Sequence, residues 1–199
     1  IESITAKENK KIKLISSLSA KKGRIKNNAY LVEGKRMVLE AFEYVRDAIM
    51  FIIISENFSS ENKDLVTSLD ESGISVYTVS DKLFKESVDT MNPQGIAAAV
   101  SIKNLSVKKS ELNDINKILI LDGISEPGNL GTIIRTAEAA GIELIYLLKG
   151  CADIYNPKVV RSTMGSIFRT EFVFADNAEI LNDVKKHGFK IICSCLENS

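Results

Sequence analysis

The stretch of sequence that decides the fold spans residues 118–141 and reads ILILDGISEPGNLGTIIRTAEAAG. It opens with an uninterrupted apolar run, which is typical of a buried strand in a parallel sheet. Residues 129–140 have the pattern of a helix that Gly141 ends, and residues 122–128 form the loop between strand and helix. Ligands of open parallel sheets lie beyond the C-terminal ends of the strands, so this loop is a candidate binding site.

This loop has features that suit an anion. Gly128 and Gly131 leave room for the close approach of a phosphate or of another backbone. A helix that begins at Asn129 offers unpaired N–H groups and the positive end of its dipole. Arg135 follows nearly two turns later, and its long side chain can reach back along the helix. The spacing alone fits a purely structural strand-to-helix turn equally well, and it does not match the GxGxxG dinucleotide fingerprint.

Strands and helices alternate along the rest of the chain, on both sides of a polar, weakly patterned stretch at 103–116 that we interpret as a linker. Before it, the patterns predict helices at 7–22, 35–46, 60–71 and 81–87, and strands at 29–33, 48–55, 74–79 and 95–102. After it, they predict strands at 118–121, 144–148, 171–174 and 189–195, and helices at 129–140, 156–167 and 177–187. We therefore expect an α/β fold, with a small α/β domain in residues 1–102 and a parallel-sheet domain in residues 117–199.

The charges of the chain are unevenly distributed, although they sum to zero. Ten basic and three acidic side chains give residues 1–36 a net charge of +7, which leaves −7 for the remaining 163. Such a basic arm favours a polyanionic partner, but a solvated helix face explains it equally well. The longest apolar run, at 48–54, is too short to span a bilayer. Three cysteines without a CxxC pair and a single histidine, His187, predict a reduced, cytoplasmic protein without a metal site.

Two segments resemble the first two motifs of the SpoU (TrmH) family, within the SPOUT class of S-adenosylmethionine-dependent RNA methyltransferases. They are residues 121–141 and residues 156–169, which read NPKVVRSTMGSIFR. Residues 21–24 (KKGR), 30–36 (YLVEGKR) and 92–96 (NPQGI) look like the small substrate-binding domain of that family, which has a ribosomal-protein-L30e-like fold. The resemblance covers nearly the whole chain, with its parts in the correct order.

The resemblance implies an enzyme that transfers a methyl group from S-adenosylmethionine to a ribose 2′-hydroxyl, in ribosomal RNA as the first choice and transfer RNA as the second. It also implies a homodimer without membrane attachment. The knot-forming third motif of the family is missing from this sequence, so we expect an incomplete SPOUT domain and cofactor site at the C-terminal end. Two alternatives are a non-catalytic RNA-binding protein that retains the fold and a nucleotide-binding α/β enzyme, which the missing GxGxxG disfavours.

The resemblance also assigns catalytic roles. The arginine of the first motif, here Arg135, is held to activate the hydroxyl together with the adjacent RNA phosphate. Because a free guanidinium stays protonated, we expect Arg135 to clamp the phosphate and hydroxyl while proton loss is coupled to methyl transfer. Asn129 would orient Arg135 or the substrate, or act simply as an N-cap. The alternative for Arg135 is a structural ion pair with Glu138 or Glu126.

The remaining predicted site residues bind RNA or the cofactor. The predicted RNA contacts are Arg24, Lys35, Arg36, Arg161 and Ser162. The predicted cofactor contacts, at the end of the last strand, are Ser194, Cys195 and Leu196. For Arg161 the alternative is ordinary helix-surface polarity, and for the last three it is strand-end packing. No RNP-type aromatic signature is present, so we expect recognition of RNA shape and phosphate, with salt-sensitive binding.

Overall fold

The computed structural model describes residues 1–102, 112, 115–175 and 180–193, which are arranged around two β-sheets. The first sheet is mixed. Its strands are β1 Glu2–Ser3, β2 Ala29–Glu33, β3 Ile49–Ser55, β4 Val76–Val79 and β5 Ile96–Ser101. They lie in the order β1-β4-β3-β5-β2, and β5 runs antiparallel to both of its neighbours while the other pairs are parallel.

Helices cover both faces of this sheet. They are α1 Lys10–Ser17, α2 Lys21–Asn27, α3 Lys35–Tyr44, α4 Glu56–Glu61, α5 Lys63–Glu71 and α6 Asp81–Ser87. Strand β3 alternates between the two faces: Ile52 and Ile54 belong to one buried cluster, and Phe51 and Ile53 belong to another. An almost wholly apolar strand is therefore stable here because neither of its faces meets water.

Two of the predicted helices are each divided in two. The helix expected at 7–22 is α1 followed by α2, and the two pack so closely that a Cβ at Gly23 would lie 1.9 Å from the carbonyl oxygen of Ser17. The helix expected at 60–71 is interrupted at Asn62, whose side chain donates to the Phe58 carbonyl at the end of α4. In both cases the hydrophobic pattern continues across the break, so the pattern alone did not reveal it.

The second sheet is parallel, as predicted. Strands β6 Ile118–Leu121, β7 Leu144–Leu148 and β8 Glu171–Ala175 lie in that order. The helices of this part are α7 Pro127–Ala139, α8 Pro157–Ser162 and α9 Ile180–Lys186. The predicted α/β class is confirmed by these two sheets. In the described ranges, no helix combines the length and the apolar character that a membrane crossing requires.

Three boundaries of the second part differ from the prediction. Helix α7 begins at Pro127, two residues early, because Glu126 caps it. Helix α8 ends at Ser162 rather than near residue 167, because Met164 and Gly165 have φ values of 52° and 101°, and a 3-10 turn follows at Ser166–Phe168. Residues 189–193 form no strand. The predicted linker falls mostly outside the described residues, although Leu112 is buried.

The two sheets share one apolar core. Val32 of β2 and Ile52 of β3 belong to the same buried cluster as Leu130 of α7 and Val159 of α8. The rings of Tyr30 and Tyr155 also meet, with centroids 4.8 Å apart. Helix α8 is therefore fixed between β2 and α7, and this position determines where the residues of the second motif lie.

Candidate active site

The N-terminus of α7 is capped by an acidic side chain. The Gly128 N–H donates to Glu126 Oε1 at 3.4 Å, and Lys158 Nζ donates to the same oxygen at 2.7 Å. These contacts, first the hydrogen bond from Lys158 and then that from Gly128, lower the pKa of Glu126. The expectation that Asn129 caps the helix is wrong, because the cap residue is three positions earlier and proline occupies the first helical position.

Asn129 instead lies in the first turn of α7, where it is exposed and its side chain has no hydrogen-bond partner among the described residues. It borders an open cleft of about 420 Å³ that Gly123, Ser125 and Thr132 also line. Six residues separate Asn129 from Arg135, which places them about 120° apart around the helix and about 9 Å apart along it. The two side chains therefore face different directions from the helix axis.

Arg135 is exposed, and its side chain forms no ion pair or hydrogen bond within the described part of the chain. Both acidic residues that the sequence offered as partners are bound elsewhere. Glu126 pairs with Lys158 at 2.7 Å, and Glu138 pairs with Arg169 at 3.0 Å. Arg135 therefore does not form the structural ion pair that was the alternative to a catalytic role. Its guanidinium is available to bind an anion.

Gly131 marks the closest approach of α7 and α8. A Cβ at this position would lie 2.5 Å from Ser162 Cβ and 2.8 Å from the Val159 carbonyl oxygen. The glycine is thus required for close approach of another backbone, one of the two roles expected for it. At Gly128 an added Cβ would meet nothing nearer than 3.6 Å, so that position is open.

Ser162 and Arg161 are turned inward by this packing. The Ser162 hydroxyl donates to the Lys158 carbonyl at 2.8 Å, within its own helix. Arg161 is partly buried, and its Nη1 atom is buried without a hydrogen-bond partner. Neither side chain is fully exposed in this conformation. The alternative that Arg161 is simply a polar residue on the helix surface therefore does not hold.

Arg161 acts electrostatically on Glu33, the last residue of β2. Glu33 is 7% exposed and accepts a hydrogen bond from the Thr90 hydroxyl at 2.8 Å. Burial raises the pKa of Glu33, and the Thr90 hydrogen bond and the positive charge of Arg161 oppose that rise. The second motif and the first domain are therefore coupled through a buried carboxylate, which the sequence pattern did not reveal.

Arg24 does not occupy the surface position expected of an RNA contact. Its side chain is 4% exposed, and it donates to Asp153 Oδ2 from Nε at 3.0 Å and from Nη2 at 2.7 Å. Its Nη1 donates to the carbonyls of Leu18 and Ser19, each at 2.8 Å. The guanidinium therefore joins the two parts of the chain, and we correct its assignment from RNA contact to structural residue.

Lys35 and Arg36 are exposed at the start of α3, in agreement with a surface role. The Lys35 backbone N–H donates to Gln94 Oε1 at 2.9 Å, and its Nζ donates to Asn62 Oδ1 at 2.6 Å. Next to them an open cleft of about 490 Å³ is lined by residues 91–95. Lys35 and Arg36 therefore present two exposed basic side chains beside the NPQG segment at residues 92–95.

The crevice between the ends of β6 and β7 is closed by their own loops. A Cβ at Gly150 would lie 3.4 Å from Gly123 Cα, and the Ala152 N–H donates to the Ile124 carbonyl at 2.8 Å. Beside this contact, the ends of β7 and β8 and the loop at residues 149–153 line an open cleft of about 470 Å³. The predicted cofactor residues Ser194, Cys195 and Leu196 lie outside the described residues.

Fold and site together define a class: an α/β protein that presents an arginine, unpaired among the described residues, beside a parallel sheet, and has a second α/β region whose first 36 residues are basic. Comparison with known families is more specific. The sequence model of the SpoU rRNA Methylase family matches residues 116–199, and that of the MRM3-like substrate binding domain matches residues 9–98. Together with a curated relative that is 33% identical over 100% of this chain, these matches show that the chain belongs to the SpoU rRNA methylase family.

Curated relatives and solved structures agree with this family. The chain is 33% identical to the 23S rRNA (guanosine(2553)-2′-O)-methyltransferase RlmP of Bacillus subtilis, over 100% of this chain and 75% of the relative. A crystal structure of an rRNA methyltransferase from Sinorhizobium meliloti matches with a TM-score of 0.80 and 25% identity, over 100% of this chain and 74% of that one.

A second structure from Sinorhizobium meliloti, an rRNA methyltransferase with AdoMet bound, matches with a TM-score of 0.76 and 26% identity. It covers 94% of this chain and 69% of that one. Human mitochondrial rRNA methyltransferase 3 is 32% identical over 75% of this chain, but only 36% of that protein is matched. The chain thus spans about three quarters of its bacterial relative and a smaller share of the mitochondrial one.

Proposed function

We propose that this protein transfers a methyl group from S-adenosylmethionine to the 2′-hydroxyl of a ribose in ribosomal RNA. The observation that carries the proposal is Arg135, which is exposed and unpaired within the described residues although Glu138 lies three positions later on α7. An exposed guanidinium is a strong donor to phosphate. Membership of the SpoU family, and the names of its relatives, supply the reaction and the class of RNA.

Arg135 acts on the reacting hydroxyl through hydrogen bonds and charge. A guanidinium remains protonated at neutral pH, so it does not remove the proton as a free base. It donates to a phosphate oxygen and to the 2′-oxygen, whose negative charge grows as the O–H bond breaks. The departing proton passes to the phosphate or to water. In this way Arg135 lowers the barrier without changing its own protonation state.

Asn129 would contact the RNA from the neighbouring cleft rather than orient Arg135 directly. Its amide carries two donors and one acceptor and has no partner within the described ranges. The cleft that it borders is open, with small or polar side chains at Gly123, Ser125 and Thr132. Ile124, Ile133 and the carboxylate of Glu126 also line this cleft, so the contact with RNA that we assign there is that of the Asn129 amide.

S-adenosylmethionine supplies a methyl group bound to a positively charged sulfur, which makes the group electrophilic. Its predicted contacts, Ser194, Cys195 and Leu196, lie outside the described residues. The loops after β6 and β7 pack against each other, but the ends of β7 and β8 border an open cleft of about 470 Å³, a volume within the range of small-molecule sites. To Asn129, Arg135 and the exposed basic residues we assign only the binding of RNA and the orientation of its hydroxyl.

Lys35 and Arg36, with the exposed lysines of α1 and α2, would hold RNA phosphate on the first domain. Residues Lys10, Lys13, Lys21, Lys22 and Lys26 are all exposed. Arg24 is excluded from this set by its burial, and Arg161 and Ser162 would reach RNA only after a rearrangement of α8. As the family resemblance implies, the protein would act in the cytoplasm as a homodimer.

The direct test is to incubate the full-length protein that carries this sequence with methyl-labelled S-adenosylmethionine and ribosomal RNA. We expect label in RNA, resistant to alkaline cleavage at one nucleotide, and loss of that label with Arg135→Ala. A matched control is Lys186→Ala, which removes an exposed cation on α9. RNA binding without any transfer would instead support a non-catalytic RNA-binding protein.

A further inference from the structure

We propose that Arg169 is a positioning residue that keeps Arg135 available, because Arg169 occupies the one carboxylate within reach of Arg135 on the same helix. The consequence for methyl transfer rests on the function proposed above. The electrostatic relationship among the three side chains stands without it.

Glu138 is the natural competitor for Arg135. It lies three residues later on α7, and side chains at this spacing are neighbours on a helix surface. Glu126 is nine residues before Arg135, about 13 Å along the helix axis, which is too far for a direct pair. Only Glu138 could therefore neutralise Arg135 from within α7.

Both oxygens of Glu138 are directed away from Arg135. Oε1 accepts from Arg169 Nε at 3.0 Å, and Oε2 accepts from the Ser166 hydroxyl at 3.2 Å. Both donors belong to the short segment after α8 in which Met164 and Gly165 have positive φ. The interaction with Arg169 is the first cause of the lowered pKa of Glu138, so the carboxylate is charged and would attract a second cation if released.

Arg169 is itself held by the first domain. Its Nη1 pairs with Glu40 of α3, and its guanidinium lies over the ring of Tyr44, 4.9 Å from the centroid. The Glu40 carboxylate also lies against Gly165, where an added Cβ would be 2.8 Å from Oε2. Arg169 is therefore held between Glu138 of α7 on one side and Glu40 and Tyr44 of α3 on the other.

The test measures the reactivity of Arg135 toward an arginine-specific dicarbonyl reagent, by mass spectrometry of chymotryptic peptides. A nearby carboxylate raises the pKa of a guanidinium and slows this reaction. We expect Arg169→Gln to slow modification of Arg135 by about 1.5-fold to twofold. Adding Glu138→Gln to that variant should restore the original rate. If Arg169 had only a structural role, removing the Glu138 carboxylate as well would not restore it.

Two single substitutions, Glu138→Gln and Glu40→Gln, serve as controls. Glu138→Gln alone should leave the rate at Arg135 unchanged, since Arg169 already masks that carboxylate. A rate increase in this variant would overturn the proposal, even if Arg169→Gln failed to fold. Glu40→Gln removes the interdomain half of the contact and should also leave the rate unchanged. No slowing in Arg169→Gln, or no recovery in the double variant, would equally contradict the proposal.

The same variants connect the proposal to RNA. In methyl transfer, Arg169→Gln should lower the single-turnover rate by a similar factor with little change in the KM for RNA, and Glu138→Gln should reverse that loss. The reactivity measurement involves neither RNA nor cofactor. An active protein in which Arg169→Gln changes nothing would refute the positioning role, whereas an inactive protein with the expected reactivities would refute only the proposed function.

Discussion

Arg24 Nη2 lies 2.7 Å from Asp153 Oδ2, across 129 positions of sequence, and this partly buried ion pair joins the first domain to the loop before α8. The pair is surrounded by further bonds. Arg24 also donates to two carbonyls of the α1–α2 turn, and the second oxygen of Asp153 accepts from the Tyr155 N–H at 2.9 Å. An arginine from a basic motif thus orders the interface on which the candidate site is built.

Arg24→Gln should therefore destabilise the fold rather than weaken RNA binding directly. Removing Arg24 from this partly buried pair leaves the Asp153 carboxylate, whose side chain is 21% exposed, without its ion-pair partner, which should cost about 1–2 kcal/mol of the free energy of unfolding. Denaturant unfolding monitored by circular dichroism measures it. Lys22→Ala, at an exposed neighbour, should change stability by less than about 0.5 kcal/mol. Equal effects of the two substitutions would contradict the structural role of Arg24.

Gly131→Ala tests the contact between α7 and α8. The new Cβ would meet Ser162 Cβ and a backbone carbonyl at less than 3 Å, so the helices must separate. We expect a loss of about 1–3 kcal/mol in the free energy of unfolding. Gly128→Ala, three residues earlier, adds the same methyl group to open space and should be neutral or slightly stabilising. Thermal unfolding of the two variants compares them; a tolerated Gly131→Ala would mean that the helices pack less closely.

Glu33 predicts a pH dependence of stability. Because its pKa is raised in the folded state, its protonated form is favoured by folding. Its favourable contribution is therefore present below the ordinary glutamate pKa of about 4.3 and is lost as the pH rises through the folded-state value. Glu33→Gln, a neutral mimic, should be more stable relative to wild type at pH 7 than at pH 4. A constant difference between the two proteins from pH 4 to 7 would disagree with this prediction.

RNA binding should depend on salt through Lys35 and Arg36. Each phosphate contact that is removed lowers the slope of log affinity against log salt by about one unit or slightly less. We expect Lys35→Ala and Arg36→Ala each to lower that slope, measured by fluorescence anisotropy with a ribosomal RNA fragment. Lys186→Ala serves as the matched control with unchanged slope. If the three variants had identical slopes, the RNA surface would have to lie elsewhere.

Local patterns predicted the order and type of most strands and helices, because apolar periodicity depends on neighbours a few residues apart. They failed where a distant contact decides the outcome. Arg24 is buried because Asp153 is available to it, 129 positions away. Helix α8 is a different case, because its end at Met164 and Gly165 has a local signal in the glycine that the apolar pattern did not take into account.

The candidate site was also only partly predictable from the sequence. Motif resemblance identified Asn129 and Arg135, and the structure leaves both side chains exposed. The motif resemblance did not reveal that Glu126 caps α7. It also did not reveal that Glu126 pairs with Lys158 and that Glu138 pairs with Arg169. These are pairings of side chains 31 and 32 residues apart, which spacing along one helix does not predict.

The most direct test of the central claim is the single-turnover rate of methyl transfer at saturating RNA and S-adenosylmethionine, compared between wild type and Arg135→Ala. If Arg135 stabilises the developing negative charge on the 2′-oxygen, the rate should fall by about 100-fold or more. The affinity for RNA, which many other cations support, should fall by no more than about threefold. A variant that keeps its rate and loses only affinity would show that Arg135 binds RNA without taking part in the chemistry.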